Sequence, residues 1–189
     1  MRFKQKLIEV SPELFKQVKD VLGRKGGRTT ENDVNKELEE ALCRAFFSKD
    51  GVTAEVTSAP ADEDIRHDID CYVNGHAVQV KCRRNDHLTL EDGKTRNLRR
   101  YPGWLDRSKA EYYLFVWPEY ENHLMGRYII GADLKRLLNI LRNNQFGGIA
   151  TDEDKRWVDE NWGGIDNAVF HAEHIDGVDG DGSYFELVI

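Results

Sequence analysis

Asn74-Gly75 lies within Asp68-Ile-Asp-Cys-Tyr-Val-Asn-Gly-His-Ala-Val-Gln-Val-Lys81, and no other feature constrains the fold as tightly. A two-residue Asn-Gly connection between alternating apolar residues predicts a type I′ hairpin, because both central positions need positive φ. The turn sets a register: Val73 opposite His76, Tyr72 opposite Ala77, Cys71 opposite Val78, Asp70 opposite Gln79 and Asp68 opposite Lys81. Side chains alternate across a strand, so Asp68, Asp70, Gln79 and Lys81 are expected on one face. Ile69, Cys71, Val73, Val78, Val80 and Cys82 are expected on the other, which is apolar enough for a core. The polar face gathers two carboxylates, a carboxamide and an ammonium within cross-strand reach, the makings of a metal site with a lysine beside it. The bland alternative is a solvated cross-strand ion pair worth roughly 0.2–1 kcal/mol.

The chain has 189 residues and 40% hydrophobic content, enough for one domain with a sizeable core. It has no apolar run of about 18 residues, and a polar, basic stretch follows Met1, so a soluble cytoplasmic protein without membrane contact is expected. Cys43, Cys71 and Cys82 make no disulfide framework. The net charge of -7 conceals segregation. Residues 1–30 carry eight Lys/Arg against three acids, residues 81–109 nine against four, and the tail after 150 has eleven acids against two bases. Phosphate binding answers to the local field rather than the total, so a basic surface near the hairpin is compatible with nucleic acid.

Ser11-Pro12-Glu13 followed by Leu14, Phe15, Val18, Val21 and Leu22 predicts a capped helix ending at Gly23. After the basic connection 24–28, Val34, Leu38, Ala41, Leu42, Ala45 and Phe46 form one helical stripe from about Asn32 to Phe47. Thr53 to Thr57 is expected as a strand, 58–64 as a loop, and 83–103 as a polar segment without periodicity. Tyr112 to Trp117 has the continuous apolar character of a buried strand. Short strands at 127–130 and 184–189, a helix through Leu134, Leu137, Leu138 and Leu141, and a capped helix starting at Thr151 and ending near Gly163 complete an α/β pattern with a mixed sheet.

Asp70, the run Gln79-Val80-Lys81 and the basic Cys82-Arg83-Arg84 resemble the catalytic core of the PD-(D/E)XK nuclease superfamily in its glutamine variant, most nearly Mrr-type restriction endonucleases and Holliday-junction resolvases. The resemblance spans roughly residues 34 to 130. It implies a restriction-endonuclease-like three-layer sandwich with a mixed central β-sheet flanked by helices. The ends of the chain lie outside the resemblance, and the expected organisation is a basic N-terminal helical extension (1–30), a nuclease-like core (31–145), and an acidic C-terminal helix and strand packing on that core (146–189). By the same resemblance Asp70 is the central ligand of a Mg²⁺ or Mn²⁺ ion, Gln79 supplies a side-chain oxygen, and Val80 supplies its carbonyl. Lys81 orients or helps deprotonate the attacking water. Hard oxygen ligands suit these ions better than zinc, and the chemistry implied is phosphodiester hydrolysis by metal-activated water. Neutral Gln79 removes one negative charge from the commoner Glu-X-Lys pattern, which weighs against a tight two-metal arrangement.

Many family members add a glutamate from the preceding helix. At 100° per residue the stripe centres near Ala45, placing Glu40 almost opposite it and Glu37 and Glu39 on its flanks; Glu39 has the spacing common in resolvase-like helices. Asp68 is assigned a secondary role, positioning the Lys81 amine. Arg83, Arg84, Lys94, Arg96, Arg99 and Arg100, with Trp104 as a stacking surface, are candidate DNA contacts, although the same segment also fits an ordinary solvated loop. RNA stays open as a substrate, because nothing reads a 2′-hydroxyl or a base edge. A homodimer would supply the two active sites that a double-strand break needs. A non-catalytic nucleic-acid-binding module with the same fold is the alternative reading. His67, Cys71, His76 and Cys82 lack zinc-ligand spacing. The Asp176 to Gly182 run departs from the EF-hand positions and is expected as a turn.

Overall fold

The computed structural model describes residues 4–23, 32–49, 51–96, 99–145, 151–162, 169–174 and 181–188. The expected basic connection at 24–28 and most of the turn at 176–182 lie outside them. The chain forms two compact units, one from Phe3–Asp86 with Lys109–Gly131, the other from His87–Ser108 with Ala132–Ile189.

The first unit carries the hairpin. Its strands are β1 (Lys4–Glu9), β2 (Val56–Ser58), β3 (Cys71–Val73), β4 (His76–Cys82), β7 (Tyr112–Tyr120) and β8 (His123–Ile130), with β5 and β6 falling in the other unit. They form one sheet in the order β1-β8-β7-β4-β3-β2. The sheet is mixed: β4 runs parallel to β7, while the other pairs are antiparallel. Helices α1 (Pro12–Gly23) and α2 (Asn32–Phe47) pack on it. Val18 of α1 and Leu38, Leu42, Cys43 and Phe46 of α2 meet Val56, Cys71, Val73, Val78, Val80, Leu114, Val116 and Leu124 of the sheet in one buried cluster.

Local chemistry explains these elements. Ser11 Oγ accepts the Leu14 N–H at 3.2 Å, the N-cap bond expected ahead of a proline-led helix. At the far end of α2, Lys6 Nζ donates to the carbonyls of Phe46 (3.3 Å) and Ser48 (3.1 Å). An ammonium there satisfies orphan carbonyls and complements the negative end of the helix dipole. Asn74 and Gly75 have φ of 49° and 82°, as a type I′ turn requires. Asn74 also accepts the Glu55 N–H and donates to the Glu55 carbonyl, so the turn residue holds the approach to β2 as well.

In the second unit, β5 (His87–Arg96), β6 (Arg99–Pro102), β9 (Val169–His174) and β10 (Asp181–Val188) form an antiparallel sheet in the order β6-β5-β10-β9. Helices α4 (Trp104–Arg107), α5 (Gly131–Gln145) and α6 (Asp152–Trp162) accompany it. Arg142 makes a two-bond fork to Asp106, and Arg136 pairs with Asp154 at 3.0 Å and covers the Trp157 ring. Thr151 caps α6 by accepting the Asp154 N–H and donating to its carboxylate.

Several expectations are corrected. Residues 4–9 are a strand of the central sheet, so residues 1–30 are no mere helical extension; β1 is tied in through its ladder with β8 and through Lys6. The polar 83–103 stretch contains β5 and β6, whose buried Leu88 and Leu90 alternate with polar residues. The C-terminal strands pair with this segment through β10 and β5, which makes a second sheet rather than an appendage on a 31–145 core. The expected loop at 58–64 largely becomes α3 (Ala61–His67). Its first turn carries Asp62, Glu63 and Asp64 and its last Arg66 and His67, the charge order that a helix dipole favours. Among the described residues no helix is long and apolar enough to cross a membrane.

Candidate metal and phosphate site

The hairpin pairs as expected at its tip: Cys71 with Val78, Tyr72 with Ala77 and Val73 with His76. Beyond Cys71 the ladder breaks. Asp68 adopts the left-handed region (φ 50°, ψ 51°) at the end of α3, with its N–H donating to the Asp64 carbonyl. The Asp70 N–H donates to the Val78 carbonyl at 3.0 Å, so two consecutive residues address Val78, as in a bulge. The Asp70 side chain then replaces the missing backbone partner: its Oδ2 accepts the Val80 N–H at 2.7 Å. The expected strand register for Asp68 therefore fails, because the chain leaves a helix in a left-handed turn there. Ile69 moves with it, packing with Ala59, Ala77 and Tyr72 rather than with Cys71 and Val78.

The break opens the site. In a strand, the N–H and C=O of one residue point to the same edge, so the Val80 carbonyl leaves β4 on the Asp70 side, beyond the end of β3. Gln79 and Lys81 share the opposite sheet face from Val78 and Val80 by alternation. Gln79 is 4% exposed, and its buried Oε1 has no hydrogen-bond partner among the described residues, an arrangement that costs about 1–3 kcal/mol unless a donor or a cation meets it. Asp70 is 6% exposed.

Glu39 reaches the same place from α2. Burial raises its carboxyl to about 8, the charges of Asp70 and Asp64 add to the rise, and Lys81 and Lys36 oppose it. Burial likewise raises Asp70 to about 6; Lys81 and the Val80 N–H oppose, and Asp64 and Asp68 push it further up. Buried Asp70 and half-buried Glu39 thus both resist ionisation. Glu40 is instead engaged by Ser58 and by Arg44, at 2.6 Å, which hold its carboxyl low. Glu37 is exposed.

The other candidates divide between the units. Arg83 lies two residues after Lys81 and is half-buried, its backbone N–H donating to the Val116 carbonyl. Arg84 is exposed, and its guanidinium donates to the Leu22 carbonyl at the end of α1. Lys94, Arg96, Arg99 and Arg100 belong to β5 and β6 of the other unit, where Arg96 stands opposite Arg99 and Thr95 opposite Arg100. Trp104 opens α4. Asp64 was not singled out from sequence because its helix was taken for a loop; the run of acids after Pro60 was the available signal. Among the described residues no three of His, Cys, Asp and Glu are arranged as ligands about one point. The candidate oxygen donors from the sequence are two carboxylates, one carboxamide and one peptide carbonyl.

These shifts link stability to pH. Glu39 and Asp70 bind their protons more tightly folded than unfolded, so folding takes protons up. Their contribution is full below the ordinary carboxylate range and is lost as pH rises through about 6 and then about 8. The melting temperature in metal-free buffer should fall between about pH 5 and pH 8.5, and Glu39→Gln should flatten the upper part of that fall. A flat wild-type profile would contradict the burial of this pair. No family model, no curated protein and no solved structure matches the chain.

Proposed function

We propose that the chain is a Mg²⁺-dependent endonuclease that hydrolyses DNA phosphodiesters on a restriction-endonuclease-like, PD-(D/E)XK fold with glutamine in the third motif. The observation that carries this reading is the hydrogen bond from the Val80 N–H to Asp70 Oδ2. It fastens the acid to the Gln79-Val80-Lys81 run, while Glu39 and Lys81 share its electrostatic environment. The mixed sheet with α1 and α2 packed against it is compatible with a three-layer sandwich.

The residues fit a hard divalent cation. The partnerless Gln79 Oε1 and the two reluctant carboxyls each gain from positive charge, and oxygen donors select Mg²⁺, with Mn²⁺ as substitute. Asp70, Gln79, the Val80 carbonyl and Glu39 would hold it, and when bound it supplies charge stabilisation at phosphate and an acidified water. Lys81 adds an ammonium where phosphate charge develops and orients the attacking water. Asp68 lies close enough to act on Asp70 and has a positioning role. Arg83 and Arg84, just after β4, are the proposed phosphate contacts of the first unit, and Lys94, Arg96, Arg99, Arg100 and Trp104 are proposed contacts of the second unit taken by itself. A homodimer would place two such sites on opposite strands.

The neutral Gln79 favours one competing reading, a nucleic-acid-binding module without catalysis. Incubating the purified protein with supercoiled plasmid and Mg²⁺ or Mn²⁺ separates the two: nicked and linear products that vanish with a chelator are expected. DNA binding without nicking under either ion would establish the module, and a parallel RNA substrate decides the nucleic acid.

A further inference from the structure

We infer that β1 is the docking edge for a second copy of this chain, pairing antiparallel with its own counterpart about a two-fold axis at Leu7. Two six-stranded sheets join into one across it. β1 ends the order β1-β8-β7-β4-β3-β2, and among the described residues no strand pairs with its outer side. Which backbone groups face outward follows from the neighbouring ladders, because the N–H and C=O of one residue point to the same edge and the edge alternates along the strand. The Arg83 N–H donates to the Val116 carbonyl, so Val116 faces β4 while Phe115 and Trp117 face β8. Their partners Arg127 and Met125 therefore face β7, and Leu124, Gly126 and Tyr128 face β1. Ile8, Lys6 and Lys4 answer them, and the Val10 N–H donating to the Asn122 carbonyl at 2.9 Å continues the series. Gln5, Leu7 and Glu9 are left with their N–H and C=O on the outer edge.

The same three residues are exposed, with side chains on the sheet face opposite Ile8 and Val10, which pack against the buried cluster under α1 and α2. Edge strands are commonly guarded by charges, lysine above all, or by proline. Here the Lys6 ammonium is drawn inward to the Phe46 and Ser48 carbonyls, and the middle of the edge presents Leu7, 43% exposed. A strand from a second copy meets every outward group when the two are centred on Leu7. Leu7 then lies against Leu7 of the second copy, and Gln5 lies against Glu9 on either side, each pair exchanging both backbone bonds. Apolar meets apolar, and a carboxamide donor meets a carboxylate. Moving the axis to Lys6 or Ile8 sets Leu7 opposite Gln5 or Glu9, and moving it to Glu9 brings two carboxylates face to face. The strand is thus complementary to itself in its central register, which favours a copy of the chain over an unrelated peptide as its occupant. This edge is separate from the metal and phosphate site and does not depend on the nuclease reading.

The test is sedimentation velocity of the whole chain over a dilution series, without metal or nucleic acid, with the circular dichroism spectrum of each variant recorded alongside. The wild type should run as a reversible dimer. Leu7→Lys sets two ammonium groups against each other at the axis and should weaken the dimer about tenfold or more. Leu7→Pro removes an outward donor without touching the ladder between β1 and β8 and should do the same. If the proline alters the spectrum, Leu7→Lys, at a position already exposed, carries the test. Gln5→Glu should weaken association about fivefold by facing Glu9 of the second copy, and adding Glu9→Lys should restore it, since the opposed charges are then unlike. A wild type that stays monomeric at every concentration overturns the inference. So does a dimer indifferent to Leu7→Lys, or one that Glu9→Lys fails to restore in Gln5→Glu. None of these results touches the metal reading, which the cleavage assay tests by itself.

Discussion

Asp70→Asn should reduce metal-dependent cleavage by about 10³-fold or more while the fold survives. The loss would follow from removing the proposed central anionic ligand: several kcal/mol of charge stabilisation by a bound metal, at about 1.4 kcal/mol per tenfold in rate, gives that range. Asparagine is the discriminating choice. The amide oxygen can still accept the Val80 N–H that Asp70 Oδ2 accepts at 2.7 Å, so the bulged end of the hairpin keeps its backbone partner. Asp70→Ala would orphan that N–H in a buried setting, at a cost of about 1–3 kcal/mol, and would confuse lost chemistry with lost structure. Lys81→Ala should remove activity comparably, because no other ammonium in the unit acts on both Glu39 and Asp70 among the groups identified. Nicking at the wild-type rate by either purified variant, with an unchanged circular dichroism spectrum, would end the assignment.

The largest structural effect is expected at Gly126 in β8. A methyl added there would sit 2.1 to 2.6 Å from three ring carbons of Phe46, and Phe46 is fully packed in the cluster between α2 and the sheet. The ring has nowhere to retreat, so Gly126→Ala should cost about 3 kcal/mol, the upper part of the overpacking range. In a chain of this length that lowers the melting temperature by about 6–12 °C. Pairing it with Phe46→Leu, which removes the ring, should cost less than the sum of the two single changes. A wild-type melting curve for Gly126→Ala would show that α2 does not approach β8 as closely as described. Because α2 also carries Glu39, a shifted helix should weaken metal binding as well.

Features governed by local rules were legible in the sequence. The Asn-Gly turn, the capped starts of α1 and α6 and the stripe of α2 all follow from short-range sterics and periodicity, and each has its expected place. Helical angle set Glu40 apart from Glu37 and Glu39, and the choice of Glu39 over Glu37 came from the family resemblance. What escaped was decided by tertiary context. Period-two alternation carried past Cys71 put Ile69 on the wrong face, because nothing local announced that Asp68 would turn left-handed and that a carboxylate would stand in for a backbone carbonyl. Strands β5 and β6 hid beneath lysines and arginines, with only Leu88 and Leu90 marking a buried side. β1 reads as a basic leader until Lys6 is seen at the end of α2. The division of the basic residues between two units has no sequence signal at all, since it depends on β5 pairing with β10, nearly a hundred residues later.

The bond between Asp70 and the Val80 amide also governs how the acid can grip an ion. One of its two oxygens is already turned towards the peptide, which disfavours two-oxygen chelation. A compact ion that is content with single-oxygen carboxylate contacts in an octahedral shell suits such a ligand, whereas calcium, larger and often clasped by both oxygens, gains less from it. Under the proposed metal reading, the kink in the hairpin would act as a filter for ionic radius, written into the backbone rather than into the choice of side chain.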